Sequence, residues 1–219
     1  MIFDDRIQAA ELLAQRLERY RGQNPLVLAI PRGAVPMARV IADALEGDLD
    51  VVLVHKLGAP FQPEFAIGSV SESGDVYLGD LVQQLEIGQE YIDREVEREL
   101  ETLRQRRARY TPVRKSMCAK DRVAIVVDDG IATGWTMLAA LRAVRRQRPK
   151  KLVAAMAVAP ANSLPKMEAE ADEIVCLTVP EDFLAVGQFF LDFREVTDEE
   201  VVEVLRKAPA VKRQLHGGP

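Results

Sequence analysis

Two adjacent acids, Asp128 and Asp129, follow the apolar run 123–127 and precede a loop of small residues, Ala132-Thr133-Gly134-Trp135-Thr136. Carboxylates that close repel one another and resist burial, so a chain that needed only a fold would end a buried strand differently. The loop has a chemistry of its own. It opens a helix, where backbone N–H groups lack partners, and the hydroxyls of Thr133 and Thr136 add donors, which together make a cup for a phosphate. Gly134 and the small side chains let the backbone wrap closely around the anion. The lysine and four-residue gap of a Walker A loop are missing, and the chain has no GxGxxG turn, so the cup suits a monophosphate. Two acids cannot serve that phosphate. A carboxylate pair accepts hydrogen bonds from the vicinal hydroxyls of a ribose, and a ribose 5-phosphate moiety would satisfy both halves of the stretch. Asp-Gly is also a common turn pair, but a turn explains neither the second acid nor the Thr-Gly-x-Thr that follows.

Elements that could position these groups are legible in the hydrophobic pattern. Asp4 or Asp5 can cap a helix reaching Tyr20, with Ile7, Ala10, Leu13, Ala14 and Leu17 along one face. Residues 26–30, 50–56, 122–127, 151–159 and 173–179 are short apolar runs of the kind buried on both faces of a parallel sheet, and helical patterns separate them. Ser73-Gly74 between 66–70 and 75–79 predicts an antiparallel hairpin, and the two prolines and glycine of 57–65 predict a loop. A charge-rich helix over 89–110 has Ile92, Val96, Leu100 and Leu103 as its apolar stripe, its charges forming a solvated face; Arg104 to Arg109 could instead lean over an anion. Ser163 caps a short helix, and Thr197, Asp198 and Glu200 begin a last one to Lys207. The expected architecture is an α/β, doubly wound, five-stranded parallel sheet with a hairpin insertion, a single unit over 1–207, and a flexible tail over 208–219.

In such sheets ligands bind at the carboxyl ends of the strands. Pro31-Arg32-Gly33, His55-Lys56 and Asp128-Asp129 all fall at predicted strand ends. His55 reads as packing there, and of Phe183, Phe189, Phe190 and Phe193 most read as core. Composition narrows the field. The chain has 219 residues, 48% hydrophobic and 29% charged, enough for a substantial core, and a net charge of −5 argues against a general nucleic-acid or anionic-membrane binder. Cys118 and Cys176 lack paired-ligand spacing, and no run of roughly 18 apolar residues occurs, which together predict a cytoplasmic protein with reduced thiols and no membrane span.

The run VAIVVDDGIATGWT resembles the phosphoribosyl pyrophosphate (PRPP)-binding signature of the type I phosphoribosyltransferases, and the order of segments is similar over most of 25–195, in particular to bacterial phosphoribosyltransferase-like proteins of uncertain acceptor. The resemblance implies that Asp128 and Asp129 hold the ribose 2′- and 3′-hydroxyls and, directly or through water, Mg²⁺. Ala132, Thr133, Gly134, Trp135 and Thr136 would hold the 5′-phosphate. Pro31-Arg32-Gly33-Ala34 resembles the loop that meets the diphosphate, where a non-proline cis peptide is often found. Lys56 matches a basic residue for pyrophosphate, 57–66 a loop that closes over the site, and 180–193 a hood that receives the base and gives the fold its C-terminal addition; Glu64 in the closing loop could serve as a substitute general base or be simply an exposed loop glutamate. The implied reaction joins a nitrogenous base or similar small acceptor to ribose 5-phosphate and releases pyrophosphate, in a homodimer, with PRPP as co-substrate and no nucleic-acid partner. A sensor of PRPP or nucleotide on the same fold is the alternative; regulators of that kind usually add a DNA-binding segment, and no basic helix-turn-helix precedes residue 25. Ala132 departs from the 6-oxopurine enzymes, which usually carry an aspartate there, and Trp135 stands where the family is small or basic.

Overall fold

A computed structural model describes residues 1–209, apart from the side chains of residues 63 and 64. Five strands form a parallel sheet: β1 (Leu26–Ala29), β2 (Asp48–Val51), β6 (Val123–Gly130), β7 (Lys151–Val158) and β8 (Glu173–Thr178), in the order β2-β1-β6-β7-β8. The central strands β1, β6 and β7 are rich in Val, Leu, Ile and Ala because helices cover both faces. On one face lie α1 (Arg6–Leu17) and α2 (Ala34–Ala44), packed with Phe3, Val27, Ile125 and Val127; on the other lies α5 (Trp135–Arg146), packed with Leu28, Ala124, Val126 and Met156. The expected doubly wound sheet is therefore present, and its strand order reverses between β1 and β6.

The helices begin where side chains can satisfy their first N–H groups. Asp5 caps α1 by accepting from the Gln8 N–H at 2.8 Å. Thr197 and Glu200 form a reciprocal capping box at the start of α7 (Asp198–Lys207). Ser163 precedes α6 (Leu164–Glu168), but its hydroxyl donates to the Pro160 carbonyl at 2.8 Å instead of capping. Ile7, expected on the apolar face of α1, is exposed; Ala9 takes the inward position.

The run 50–56 is the main departure. It is not one strand but the end of β2 and the start of β3 (Val54–Ala59), which leaves the parallel sheet and pairs antiparallel with β4 (Gln62–Ser71). The Asp50 carboxylate helps to end β2, accepting from the N–H groups of Val51 at 2.8 Å and Met117 at 2.7 Å. Residues 57–65, expected as a loop, are the tip of this β3–β4 hairpin, with two register shifts around Gly58. Proline is tolerated there because the tip has few ladder bonds to lose. The hairpin expected around Ser73-Gly74 joins β4 to β5 (Val76–Leu78) and completes a three-stranded antiparallel sheet packed on α5 and on α4 (Gln89–Tyr110). A single-turn helix, α3 (Leu81–Gln84), follows β5.

In α4 the buried stripe includes Ile92 and Leu103, as expected, but also Glu95 and Glu99, which correct the reading of its charges as wholly solvated. Among the described residues no helix is long and apolar enough to cross a membrane. Ala208 and Pro209, placed in the flexible tail by the sequence, accept hydrogen bonds from Arg114; residues 210–219, with His216, lie outside the described residues.

Candidate active site

The parallel register aligns Ala29 of β1 with Val127 of β6, so the turn after β1 and the acids that end β6 emerge side by side where the strand order reverses. Asp128 and Asp129 lie within β6 itself and not in a loop beyond it. Side chains alternate along a strand, and Val127 packs with the α1–α2 face while Val126 packs with the α5 face. Asp129 therefore belongs to the first face and Asp128 to the second; the pair straddles the sheet end.

The peptide between Pro31 and Arg32 is cis, as the resemblance implied for this loop. Gly33 follows, and a Cβ at that position would come within 2.2 Å of Asp129 Oδ2. Only a residue without a side chain lets the turn lie this close to the carboxylate. Arg32 itself turns to the C-terminal segment, with its guanidinium on Glu195 and 3.7 Å from Asp198.

Both acids are held in a poorly solvated place. Burial, followed by the neighbouring Asp129, pushes the Asp128 carboxyl well above the usual carboxylate range. Burial also raises Asp129, and Arg6 opposes it: Arg6 Nε donates to Asp129 Oδ2 at 2.8 Å. Arg6 has no sequence signature that would have singled it out, because nothing in the spacing ties the first turn of α1 to residue 129.

Beyond β6, Ala132 and Thr133 are exposed, and Gly134 is buried in the left-handed conformation at φ 82°. The left-handed turn suits glycine and swings the chain straight into α5. No side chain caps that helix, and its first backbone bond runs from the Leu138 N–H to the Gly134 carbonyl at 2.9 Å. The N–H groups ahead of Leu138 thus have no partner within the helix. An open cleft of about 300 Å³ adjoins it, lined by Phe65, Ala132, Thr133, Trp135, Ser163 and Lys166 among others. Trp135 is half-buried, close against Gly79, and its indole lies 5.3 Å from Lys166 Nζ. Lys166 went unnoticed in the sequence, although it follows the carboxyl end of β7 and could have been sought there.

The remaining expected residues are distributed differently. Lys56 is half-buried on β3, opposite Ser69, and so belongs to the antiparallel sheet and not to a strand end of the parallel one. Its neighbour His55 places Nδ1 2.7 Å from Glu99 Oε2. The side chain of Glu64 lies outside the described residues. In the basic stretch of α4, Arg107 grips Glu72 through two bonds and Arg109 reaches Asp198 at 3.3 Å.

Segment 180–193 is irregular apart from a 3-10 turn, Val186–Phe189. The Phe3 N–H donates to the Phe189 carbonyl at 2.8 Å and the Leu191 N–H to the Phe3 carbonyl at 2.9 Å, so the N-terminal residues hold it down. Phe189 and Phe190 are buried, while Phe183 and Phe193 are half-buried. Val186 sits directly over Gly130, next to the acids.

Comparison with known proteins bears on this arrangement. The family model of the phosphoribosyl transferase domain matches residues 3–194. Two Mycobacterium tuberculosis proteins, "Putative phosphoribosyl transferase MT0597" (strain CDC 1551 / Oshkosh) and "Putative phosphoribosyl transferase Rv0571c" (strain ATCC 25618 / H37Rv), are each 40% identical over 208 residues. The match covers 94% of this chain and 47% of those proteins, so the chain spans about half the length of these curated relatives. The crystal structure of TT1426 from Thermus thermophilus superposes with a TM-score of 0.81 at 45% identity, covering 94% of this chain and 98% of that one.

Proposed function

Since this chain belongs to the phosphoribosyl transferase domain family, we propose that it is a PRPP-dependent phosphoribosyltransferase, which joins a nitrogenous base or similar small acceptor to ribose 5-phosphate and releases pyrophosphate. The observation that carries the reading is the close approach of Gly33 to Asp129, with the uncapped start of α5 beyond the same strand end. A diphosphate, a ribose and a 5′-phosphate need those three environments in that sequence.

In this reading Asp128 and Asp129 accept hydrogen bonds from the ribose 2′- and 3′-hydroxyls. The N–H groups and hydroxyls of 132–136 hold the 5′-phosphate and fix the sugar from its other end. As the C1–O bond to pyrophosphate breaks and the C1–N bond forms, positive charge develops on the ring and negative charge on the leaving group. The backbone at Arg32 and Gly33 receives the diphosphate. Arg32 can add its charge only by leaving Glu195 and Asp198, and Lys56 only if the β3–β4 hairpin carries it over the site. Such closure of the hairpin tip would keep water from the ring carbon. Glu64 is the proposed acceptor of the proton that the nucleophilic nitrogen loses.

The donor set suits Mg²⁺ arriving with the substrate. The described residues include no group of three or more side chains of metal-ligating type, and a magnesium ion taken up through one or two carboxylates and substrate phosphates needs none. Asp128 and Asp129 would hold it, and when bound it would supply positive charge to offset that of the leaving group. A cytoplasmic homodimer in which residues 1–207 act as one unit and 180–193 receives the acceptor base completes the proposal.

One observation favours a second reading. Arg32 is already engaged by two carboxylates, as would suit a protein that binds PRPP or a nucleotide as a signal without turning it over. Incubation with PRPP, Mg²⁺ and a panel of bases separates the two. Pyrophosphate release with any base is the expected result; saturable PRPP binding with no release for any base would establish the sensor.

A further inference from the structure

Arg6 is a cation with no part in the roles set out above, yet it touches three of the segments that build the site. Its Nε donates to Asp129 Oδ2 at 2.8 Å, and its side chain is only 11% exposed. A second arm, Nη1, donates to the Arg194 carbonyl at 2.7 Å, and the guanidinium plane lies over the Phe193 ring at 3.9 Å. Its Nη2 points to Gly33, where a Cβ would be 3.2 Å away. The helix that carries it is fixed at its start by Asp5, and residues 3 and 4 are bonded to 189–192. Arg6 is thus gripped on several sides by groups that cannot easily follow it elsewhere.

This geometry leaves acceptor sites on Asp129 for a ligand, although the backbone N–H groups of Gly130 and of Asp129 itself also lie against the carboxylate. A carboxylate offers about four acceptor sites on its two oxygens, and Arg6 uses Oδ2. The planar guanidinium, unlike an ammonium, sets the orientation of its partner as well as neutralising it. Resting on the reading of the acid pair as the ribose site, we propose that Arg6 is a positioning residue for ribose recognition. It turns Asp129 so that Oδ1 meets a sugar hydroxyl, and it ties that carboxylate to the 193–194 edge of the C-terminal segment. Discrimination between a ribose and a sugar lacking a hydroxyl then depends on the first turn of α1.

The test is calorimetric titration of the full chain with ribose 5-phosphate, 2-deoxyribose 5-phosphate and inorganic phosphate, for wild type, Arg6→Gln and Arg6→Lys. Arg6→Gln should weaken ribose 5-phosphate about tenfold, the equivalent of about 1.4 kcal/mol, while inorganic phosphate changes by less than about twofold. Preference for the ribose over the 2-deoxyribose ligand should collapse in the same variant. Arg6→Lys keeps the charge without the fork, and so should recover only part of the loss and little of the preference. Ribose 5-phosphate affinity unchanged in Arg6→Gln would overturn the proposal, and so would an equal loss for all three ligands, which marks general damage. If Arg6→Gln fails to fold, Arg6→Lys decides: an intact preference for ribose overturns the proposal, a reduced one supports it. Wild type that binds ribose 5-phosphate no better than inorganic phosphate would remove the ribose reading itself, and Arg6's role with it.

Discussion

Two pairs of buried acids show what separates a strut from a site. Glu95 and Glu99 of α4 stand one turn apart and are met within the chain. Glu95 Oε1 accepts from the Gly58 N–H at 3.1 Å and from Arg98 at 2.6 Å. Glu99 takes Arg98 at 2.8 Å on one oxygen and faces His55 Nδ1 at 2.7 Å with the other. Tyr91 adds a bond to the Gly58 carbonyl at 2.9 Å. Asp128 and Asp129 are treated otherwise. Asp129 has Arg6 on one oxygen, and Asp128 accepts only the adjacent Asp129 N–H, at 2.9 Å, among the bonds of the described residues. Burying a carboxylate is expensive unless it is paired, and the usual solution is the α4 one. Where the chain leaves the partners out at an open strand end, a ligand's hydroxyls or cation can supply them.

The largest effect that could break this contrast is on binding. Asp129→Asn should weaken PRPP by about 1.5–3 kcal/mol, the range of a hydrogen bond to a charged group. Titration calorimetry would check it; unchanged affinity would sink the ribose assignment. Glu95→Ala should act on the fold instead. It strands the Gly58 N–H and removes a partner of Arg98, for a loss of about 1–3 kcal/mol of stability in denaturant titration. PRPP affinity should fall by less than about twofold, since Glu95 braces the β3–β4 hairpin from behind and touches no proposed ligand atom. A large loss of binding in Glu95→Ala would mean that hairpin placement and ligand binding are not separable.

The contrast also explains what could be read from the chain and what could not. The acid pair at a strand end, the helix start after it and the five parallel strands were legible because each is local: an apolar run, a dipeptide, a Thr-Gly-x-Thr at a helix start. The helix 89–110 was legible as a helix. Its inward glutamates were not, because burial of Glu95 and Glu99 depends on Gly58 and His55, more than thirty residues upstream. The switch of sheets between Val51 and Val54 was hidden for a related reason. An apolar run reads the same whether one strand or two share it. Arg6 and Lys166 reach the site only through tertiary packing, and no period or motif announces them.

The smallest of the expected effects needs no ligand. The Asp128 carboxyl lies well above its ordinary 3.8 because of burial and then the nearby Asp129. The unfolded chain releases that proton near the ordinary value, and the folded chain keeps it to higher pH. Over that window the folded state binds more protons, so wild-type stability falls as pH rises from the ordinary value through the raised one, and the loss is complete above it. Asp128→Asn has no such proton to lose. Its advantage over wild type should be absent at pH near 3.8, grow with pH, and level off above the raised value. The gain is read as a difference in Tm between the two proteins that widens with pH. Thermal melts of both proteins across the acid range would show it as two curves that diverge with rising pH. Parallel curves would show that burial of Asp128 has no effect on its charge, and the distinction between strut and site would then rest on Asp129 alone.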